Sequence, residues 1–227
     1  TATPDKGYEL EMLKVLDRSG DALKLTEKNG KYTFKMPVGK VTIKASFVEE
    51  VPEQIFKDVP ANAYYYEAVK WAQEKGITGG IGNGLFGPND PCTRAQIVTF
   101  LWRAAGSPEP ETRAMPFTDI PVGSYYYDAV LWAVENDITK GTSDTTFSPN
   151  MTCTRAQIVA FLWRSEKSPA AGTANPFADV KSTAYYADAV LWAAKEDLTK
   201  GTTNTTFSPG ADCTRAQIVT FLWRCKK

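Results

Sequence analysis

Apolar residues crowd a segment of twelve residues that occurs three times, at positions 92–103, 153–164 and 213–224, as CTRAQIVTFLWR or CTRAQIVAFLWR. In the first copy only Gln96 and Thr99 are polar between Arg94 and Arg103, so apolar side chains would cover most of a helix's circumference. Thr93 and Gln96 have the spacing of a capping box, which satisfies two amides of the first turn. The pattern predicts three buried, capped helices that pack on one another as a central bundle around a pseudo-threefold axis.

A second helical pattern precedes each of these segments. The three copies read YYYEAVKWAQEKG, YYYDAVLWAVEND and YYADAVLWAAKED. In the first copy Ala68, Val69, Trp71 and Ala72 fall on one face at helical spacing, which predicts an amphipathic helix of about three turns. We expect this helix to shield the central helices and to end at Gly76, or at Asp137 or Asp197 in the other copies.

Before the repeats, apolar and polar residues alternate with a period of two from Gly7 to Phe47. The Asn29-Gly30 pair lies between alternating runs and predicts a hairpin turn. Ser19-Gly20-Asp21 predicts another turn. Roughly four antiparallel strands are therefore expected in this part of the chain.

The repeat has a regular period, because Phe56, Phe117 and Phe177 lie 61 and 60 residues apart. Each copy begins with the pattern F-x-D and contains a loop rich in Gly, Asn, Ser and Pro with a single Phe. Triplication of one structural unit explains such a period. We predict a mainly α fold with an antiparallel β domain at residues 1–50, a linker at 51–55, and repeats at 56–107, 117–167 and 177–227.

Charge and hydropathy narrow the possible partners. The 227 residues include 26 basic and 26 acidic side chains, so no global field favours nucleic acid, and anions would have to be recognised locally. No apolar run approaches the roughly 18 to 20 residues that cross a bilayer, so membrane insertion is not expected. The first ten residues do not resemble a signal peptide, and the chain begins as if inside a domain. We therefore expect a fragment of a longer protein.

The cysteines follow the repeat. Cys92, Cys153 and Cys213 occupy equivalent positions just before the capping threonines, and Cys225 stands apart near the end. The equivalent positions favour small, buried, apolar side chains. A zinc site is the alternative, but without any His or C-x-x-C pair it would require the three thiols to converge on the axis. No cofactor or metal is expected.

The arginines in the first turn of the capped helices are candidates for anion binding: Arg94, Arg155 and Arg215. Free amides and the positive end of the helix dipole favour an anion there, and a guanidinium adds a fork for a carboxylate. Without an anionic partner, arginine in a first turn costs about 0.3 to 1 kcal/mol. Alternatively each arginine pairs with a structural partner, namely Asp58, Asp119 or Asp179, and both hypotheses can hold at once.

Aromatic side chains could bind carbohydrate, because sugars pack their C–H surfaces on flat rings. The candidates are Trp71, Trp132 and Trp192 and the tyrosines that open each amphipathic helix. For the tryptophans a place in the hydrophobic core is the competing interpretation. Trp102, Trp163 and Trp223 are assigned to the core.

The order F-x-D, Trp-containing helix, ITGG or ITKG, F-x-P and TRA helix resembles the S-layer homology domain. The resemblance covers residues 56–227, although the family usually has ITRAE or LTRAE where this chain has CTRAQ. It implies a three-pronged pseudo-trimer, hence a monomer with an internal pseudo-trimer. Grooves between its units would hold an anionic secondary cell-wall polysaccharide, often ending in a sugar with a pyruvate ketal. The function implied by the resemblance is non-covalent anchoring of an exported protein to a Gram-positive cell wall.

The resemblance also implies that the residues after the first helix take part in the site. They are Gly79 and Gly80 in the first copy, Lys140 and Gly141 in the second, and Lys200 and Gly201 in the third. The lysines either strengthen anion binding or block a sugar, so the grooves should differ in affinity. Residues 31–43 resemble the end of the immunoglobulin-like β repeats of bacterial surface proteins.

Two other functional classes were weighed. An enzyme is not expected, because the chain has no His for a Ser-His or Cys-His pair. A glycosidase would need Asp58 with Glu67, or the equivalent pairs in the other copies, to face one cleft. An adhesin or protein-interaction module that uses the same grooves is the main alternative.

Overall fold

The computed structural model describes residues 3–5, 8–49 and 55–227. The chain divides into two compact units, Thr1–Glu53 and Gln54–Lys227. The linker predicted at 51–55 lies outside the described residues except for Ile55.

The first unit consists of two antiparallel pairs of strands. Strand β1 (Tyr8–Leu16) pairs with β4 (Thr42–Glu49), and β2 (Thr26–Lys28) pairs with β3 (Lys31–Thr33). The hairpin predicted at Asn29-Gly30 is confirmed. Its two residues have φ angles of 53° and 71°, as a two-residue turn that matches the twist of the strands requires. The antiparallel β segment is thus confirmed, although β2 and β3 are shorter than the alternation suggested.

In the second unit, the first helix of each repeat has nine residues. These helices are α1 (Tyr66–Glu74), α3 (Tyr127–Glu135) and α5 (Ala187–Lys195). The predicted stops are confirmed, because Gly76, Asp137 and Asp197 have φ angles of 67°, 55° and 58°. A residue in this left-handed conformation directly after a helix turns the chain away from the axis.

The capped helices follow in each repeat. They are α2 (Arg94–Ala104), α4 (Arg155–Ser165) and α6 (Arg215–Lys226). Each begins with the complete predicted capping box. From Ile97 to Leu101 every residue of α2 is buried, which confirms a helix buried around most of its circumference. In the described residues none of the helices is both long and apolar enough to cross a membrane.

Helices pack between repeats rather than within them. The first helix of a repeat lies against the capped helix of the preceding one: α3 packs on α2, α5 on α4, and α1 on α6. Helix α2 also contacts α4 and α6. The first helices therefore shield the capped helices, as expected, but each shields the helix of a neighbouring repeat.

The three equivalent cysteines connect the repeats through their backbones. The amide of Cys92 donates to the carbonyl oxygen of Cys213 at 2.8 Å, that of Cys153 to Cys92 at 2.9 Å, and that of Cys213 to Cys153 at 3.0 Å. All three residues are fully buried, which confirms their assignment to the interior. No group of three or more side chains in the described ranges is arranged to hold a metal ion.

We expect thiol reagents to distinguish these cysteines from Cys225 in the folded chain. Burial raises the pKa of Cys153 to about 11 and of Cys213 to about 12, and it also raises that of Cys92. Because only an accessible thiolate reacts, and these three side chains are fully buried, they should resist a maleimide at about pH 8. Half-buried Cys225 should react slowly, since burial and the neighbouring Glu166 raise its pKa to about 12.

Mass spectrometry of the labelled chain measures this difference. The native chain should carry at most one label, and the chain unfolded in guanidinium chloride should carry four. Rapid labelling of Cys92, Cys153 or Cys213 before unfolding would contradict their burial.

Candidate functional site

The loop after each first helix is fixed by its phenylalanine and by the aspartate of the F-x-D pattern. Phe86 is fully buried and lies 5.7 Å from the ring of Phe56. The carboxylate of Asp58 accepts hydrogen bonds from the amides of Phe86 and Gly87, at 2.7 and 2.8 Å. Asp119 and Asp179 make the same two bonds in their repeats. These aspartates therefore hold the loop, and they do not line the clefts described below.

The pKa of Asp179 reflects these bonds. Desolvation acts to raise this pKa, but the amides of Phe207 and Ser208 outweigh it and hold the pKa below its usual value. The carboxylate is therefore charged at neutral pH and is occupied by the backbone. A role for it in acid–base catalysis finds no support in this geometry.

The candidate arginines occupy the first position of the capped helices and are 2 to 3% exposed. Their hydrogen-bond partners are carbonyl oxygens, while the aspartates Asp119, Asp179 and Asp58 act on them through their charges. The Nε atom of Arg94 donates to Phe147, that of Arg155 to Phe207, and that of Arg215 to Phe86, at 2.7 to 2.8 Å. Each arginine thus reaches into the loop of another repeat.

Each guanidinium also lies over the ring of the phenylalanine whose carbonyl it binds, at 4.7 to 4.9 Å from the centroid. A second phenylalanine lies 5.3 to 5.6 Å away. Burial lowers the pKa of all three arginines, but a group whose ordinary pKa exceeds about 12 remains charged at neutral pH. Three buried positive charges are therefore held among aromatic rings.

The three arginines differ at their terminal nitrogens. The Nη2 atom of Arg94 donates to the hydroxyl of Thr139 at 3.2 Å. The Nη2 atoms of Arg155 and Arg215 are buried, and no described residue accepts a hydrogen bond from them. A buried donor on a charged group without a partner is costly, so these two nitrogens require an explanation.

Two half-open clefts lie beside these two arginines. The Arg155 cleft has a volume of about 210 Å³ and the Arg215 cleft one of about 320 Å³. The Arg155 cleft is lined by Tyr64, Arg155, Thr199, Lys200, Gly201, Gln217, Thr220, Phe221 and Arg224. The Arg215 cleft is lined by Thr78, Gly79, Gly80, Gln96, Thr99, Phe100, Arg103, Tyr125 and Arg215. All three repeats contribute to each cleft.

A second arginine lines each cleft and was not among the sequence candidates. Arg103 donates from Nη1 to the carbonyl oxygen of Ile77 at 3.0 Å, and Arg224 does the same to Leu198 at 3.0 Å. Of the described residues that line the two clefts, none is acidic. The recurrence of this arginine at the end of every TRA segment was the available signal. Its orientation depends on packing that the sequence does not reveal.

The exposed aromatic rings at the clefts are tyrosines. Tyr64 and Tyr125 are 65 and 59% exposed and line the Arg155 and Arg215 clefts. Each packs edge-to-face on the next tyrosine of the chain, at 5.0 and 4.9 Å between centroids. Desolvation raises the pKa of both hydroxyls, so both remain protonated donors at neutral pH.

The candidate tryptophans lie elsewhere. Trp132 and Trp192 are 9 and 5% exposed and belong to the hydrophobic core, and Trp71 is half-buried against the same core. They are not among the residues that line the two clefts. Of the aromatic candidates, the structure brings only the first tyrosine of a repeat to each cleft.

Two of the three Gly or Lys-Gly pairs line the two clefts, whereas Lys140 and Gly141 are not among the lining residues. Gly79 and Gly80 line the Arg215 cleft, and Lys200 and Gly201 line the Arg155 cleft. Gly80, Gly141 and Gly201 have φ angles of 82°, 84° and 79°. A Cβ atom on Gly80 would collide with the carbonyl oxygen of Leu85. The second glycine of each pair is therefore required by the backbone.

These features define a module of three interlocked repeats with cationic, aromatic-edged clefts. A sequence model of the S-layer homology domain matches residues 55–98, 116–159 and 176–219. The chain therefore belongs to the S-layer homology domain family.

This chain is similar in sequence to parts of several longer proteins. It is 31% identical over 159 residues to the surface-layer 125 kDa protein of Lysinibacillus sphaericus, which covers 68% of this chain and 13% of that protein. It is 33% identical over 115 residues to an endoglucanase of Bacillus sp. (strain KSM-635), covering 51% and 12%. It is 30% identical over 129 residues to the cellulosome-anchoring protein of Acetivibrio thermocellus, covering 55% and 29%. The chain thus spans less than a third of each of these relatives.

Proposed function

We propose that this chain anchors an exported protein non-covalently to the bacterial cell wall by binding an anionic secondary cell-wall polysaccharide. The family and the relatives named as surface-layer and anchoring proteins indicate a location at the cell surface, outside the cell. The observation that carries the proposal is the pair of buried Nη2 atoms on Arg155 and Arg215 that lack a protein acceptor beside open clefts. An acidic group of the polysaccharide would supply the missing acceptor.

The charges of the clefts favour an anion. The Arg215 cleft holds Arg103 and Arg215, and the Arg155 cleft holds Arg155, Arg224 and Lys200. None of the described lining residues is a carboxylate; Asp90 and Asp58 act on the charge of Arg215, and Asp179 on that of Arg155, from outside the lining. A guanidinium binds a carboxylate or phosphate through directional, charge-assisted hydrogen bonds. In a cleft partly shielded from water these bonds are stronger than at an open surface. The pyruvate ketal of a terminal sugar carries one such carboxylate.

Sugar rings find suitable partners in the same clefts. Tyr64 or Tyr125 offers a flat face and a protonated hydroxyl, and the threonine hydroxyls offer further hydrogen bonds. We propose that the acidic group lies against the arginines while its sugar packs on the tyrosine. Lys200 would then add charge to the Arg155 cleft, and Gly79 would leave more room in the Arg215 cleft.

The architecture that we propose for this function is a monomer with an internal pseudo-trimer, in which the capped helices form the central bundle. The cyclic hydrogen bonds of Cys92, Cys153 and Cys213 support it, as do the arginine contacts that pass from repeat to repeat. The repeat boundaries at 56–107, 117–167 and 177–227 and the immunoglobulin-like character of residues 1–50 remain part of the proposal.

Sedimentation with purified sacculi of Lysinibacillus sphaericus tests the anchoring function. The chain should sediment with native sacculi and should remain in solution after their polysaccharide has been extracted chemically, since the cleft charges would have lost their acceptor. Equal binding before and after extraction would contradict polysaccharide anchoring, and binding only to host glycans would favour an adhesin.

A double variant, Tyr64→Ser with Tyr125→Ser, tests the clefts themselves. Aromatic contacts contribute about 0.5 to 1.5 kcal/mol each, so sacculus binding should weaken about tenfold or more. Because both rings are exposed, the melting temperature should stay within about 2 °C. Tyr32→Ser is the matched control, since Tyr32 is exposed in the β unit. Undiminished binding of the double variant would exclude the tyrosines from the site.

A further inference from the structure

We infer that the three repeats are not equivalent as binding sites: the Arg155 and Arg215 clefts each take one acidic group, and the equivalent position at Arg94 takes none. This inference rests on the proposed function. It makes the stoichiometry of binding two rather than three, and it assigns those two sites to particular residues.

The first observation is the state of the terminal guanidinium nitrogen. At Arg94 this nitrogen is paired with Thr139, whose hydroxyl also accepts a hydrogen bond from the amide of Gly141 at 3.2 Å. At Arg155 and Arg215 the corresponding nitrogens have no acceptor among the described residues, while Thr199 and Thr78 accept only the glycine amides. An incoming anion would therefore accept a hydrogen bond from the unpaired nitrogens of Arg155 and Arg215. At Arg94 it would have to compete with the existing bond to Thr139.

The second observation is independent of the first and concerns the floor of the clefts. Thr99 lines the Arg215 cleft and Thr220 lines the Arg155 cleft. Each hydroxyl donates to a carbonyl oxygen of its own helix, Ala95 or Ala216, at 2.7 Å. Its lone pairs therefore remain available to accept a hydrogen bond from a sugar hydroxyl.

The helix beside Arg94 has Ala160 at this position. Arg94 lies 5.3 Å from the ring of Phe161 on the same helix, which corresponds to the placement of Arg155 by Phe221 and of Arg215 by Phe100. The surroundings otherwise match, because Tyr185 and Arg164 also lie near. The position at which the arginine is already paired, Arg94, is thus also the one whose neighbouring helix lacks a threonine hydroxyl, because residue 160 is alanine.

Nuclear magnetic resonance of the arginine side chains tests the inference on the unaltered protein. The Nε–H groups of Arg94, Arg155 and Arg215 are buried and bonded, so their signals should be observable. The probe is the anionic oligosaccharide fraction released from Lysinibacillus sphaericus walls, and the neutral fraction is the control. The signals of Arg155 and Arg215 should shift to saturation, and that of Arg94 should not.

The outcomes separate this inference from the function on which it rests. Equal shifts at all three arginines would overturn the inequality and leave polysaccharide anchoring intact. No shift at any of them, with sedimentation on sacculi retained, would overturn the inference and move the binding site elsewhere. No shift together with no sedimentation would overturn both.

Calorimetry on three matched variants provides a second measurement. Arg94→Lys, Arg155→Lys and Arg215→Lys each break the bond to a phenylalanine carbonyl, and Arg94→Lys also breaks the bond to Thr139, so its melting temperature should fall the most. The number of oligosaccharides bound should fall from two to one in Arg155→Lys and in Arg215→Lys and stay at two in Arg94→Lys. Loss of a site in Arg94→Lys would overturn the assignment.

The double variant Thr139→Ala with Ala160→Thr tests the same idea by gain of binding. It frees the terminal nitrogen of Arg94 and restores the missing hydroxyl, so the stoichiometry should rise from two toward three. A folded variant that still binds two would show that these positions do not set the difference.

Discussion

A chain that ends at residue 176, without the third repeat, is expected to lose its cooperative unfolding transition. Helix α1 would lose α6 as its packing partner, and α4 would lose α5. Arg155 would lose the carbonyl oxygen of Phe207 and the rings of Phe207 and Phe221 that cover its guanidinium. These losses together approach the whole stability of an ordinary domain.

Urea unfolding followed by tryptophan fluorescence and near-ultraviolet circular dichroism measures this loss. The control keeps all contacts and breaks only the covalent connection. A protease site inserted in the exposed stretch 173–176 is cleaved, and the two pieces should then elute together in size-exclusion chromatography. A stable, cooperatively folded two-repeat chain would contradict the interlocking described here.

The substitution Gly80→Ala should destabilise the repeats by about 3 kcal/mol. The backbone at Gly80 has a φ of 82°, which costs a residue with a side chain about 1 to 2 kcal/mol. The new Cβ would also collide with the carbonyl oxygen of Leu85 and lie close to the ring of Phe56, and overpacking of this kind costs a further 1 to 3 kcal/mol or so. The melting temperature should fall by about 6 to 12 °C.

Gly79→Ala is the matched control for this measurement. Gly79 does not have a left-handed backbone conformation, and a Cβ atom on it would meet nothing within 4 Å. Its melting temperature should change by no more than about 2 °C. Similar losses in both variants would show that the left-handed backbone at Gly80 is not what restricts the pair.

Local features of the fold could be predicted from the sequence. The capping boxes, the stops at Gly76, Asp137 and Asp197, and the turn at Asn29-Gly30 depend on residues within a few positions of one another. Burial of the equivalent cysteines followed from their repetition in every copy.

Contacts between repeats could not be predicted in the same way. Near-identical copies offer each side chain identical partners in three places, so no pattern in the chain shows whether Arg155 meets its own repeat or the next. The sequence named the aspartates as possible partners of the arginines, and these carboxylates do act on the arginines through their charges. The phenylalanine carbonyls that accept from Nε could not be named in the same way. Arg103 and Arg224 were missed because their role depends on the wall that a neighbouring repeat completes.

The composition of the clefts bears on how such a gene can change. Each cleft takes its loop and helix from one repeat, its tyrosine from a second and its buried arginine from a third. Recombination between near-identical copies that removes one repeat would therefore leave no cleft intact. If each repeat formed a cleft by itself, the same loss would leave the other clefts unchanged. Selection therefore acts on the three repeats together. Point substitutions, such as alanine at position 160, can still change one cleft at a time.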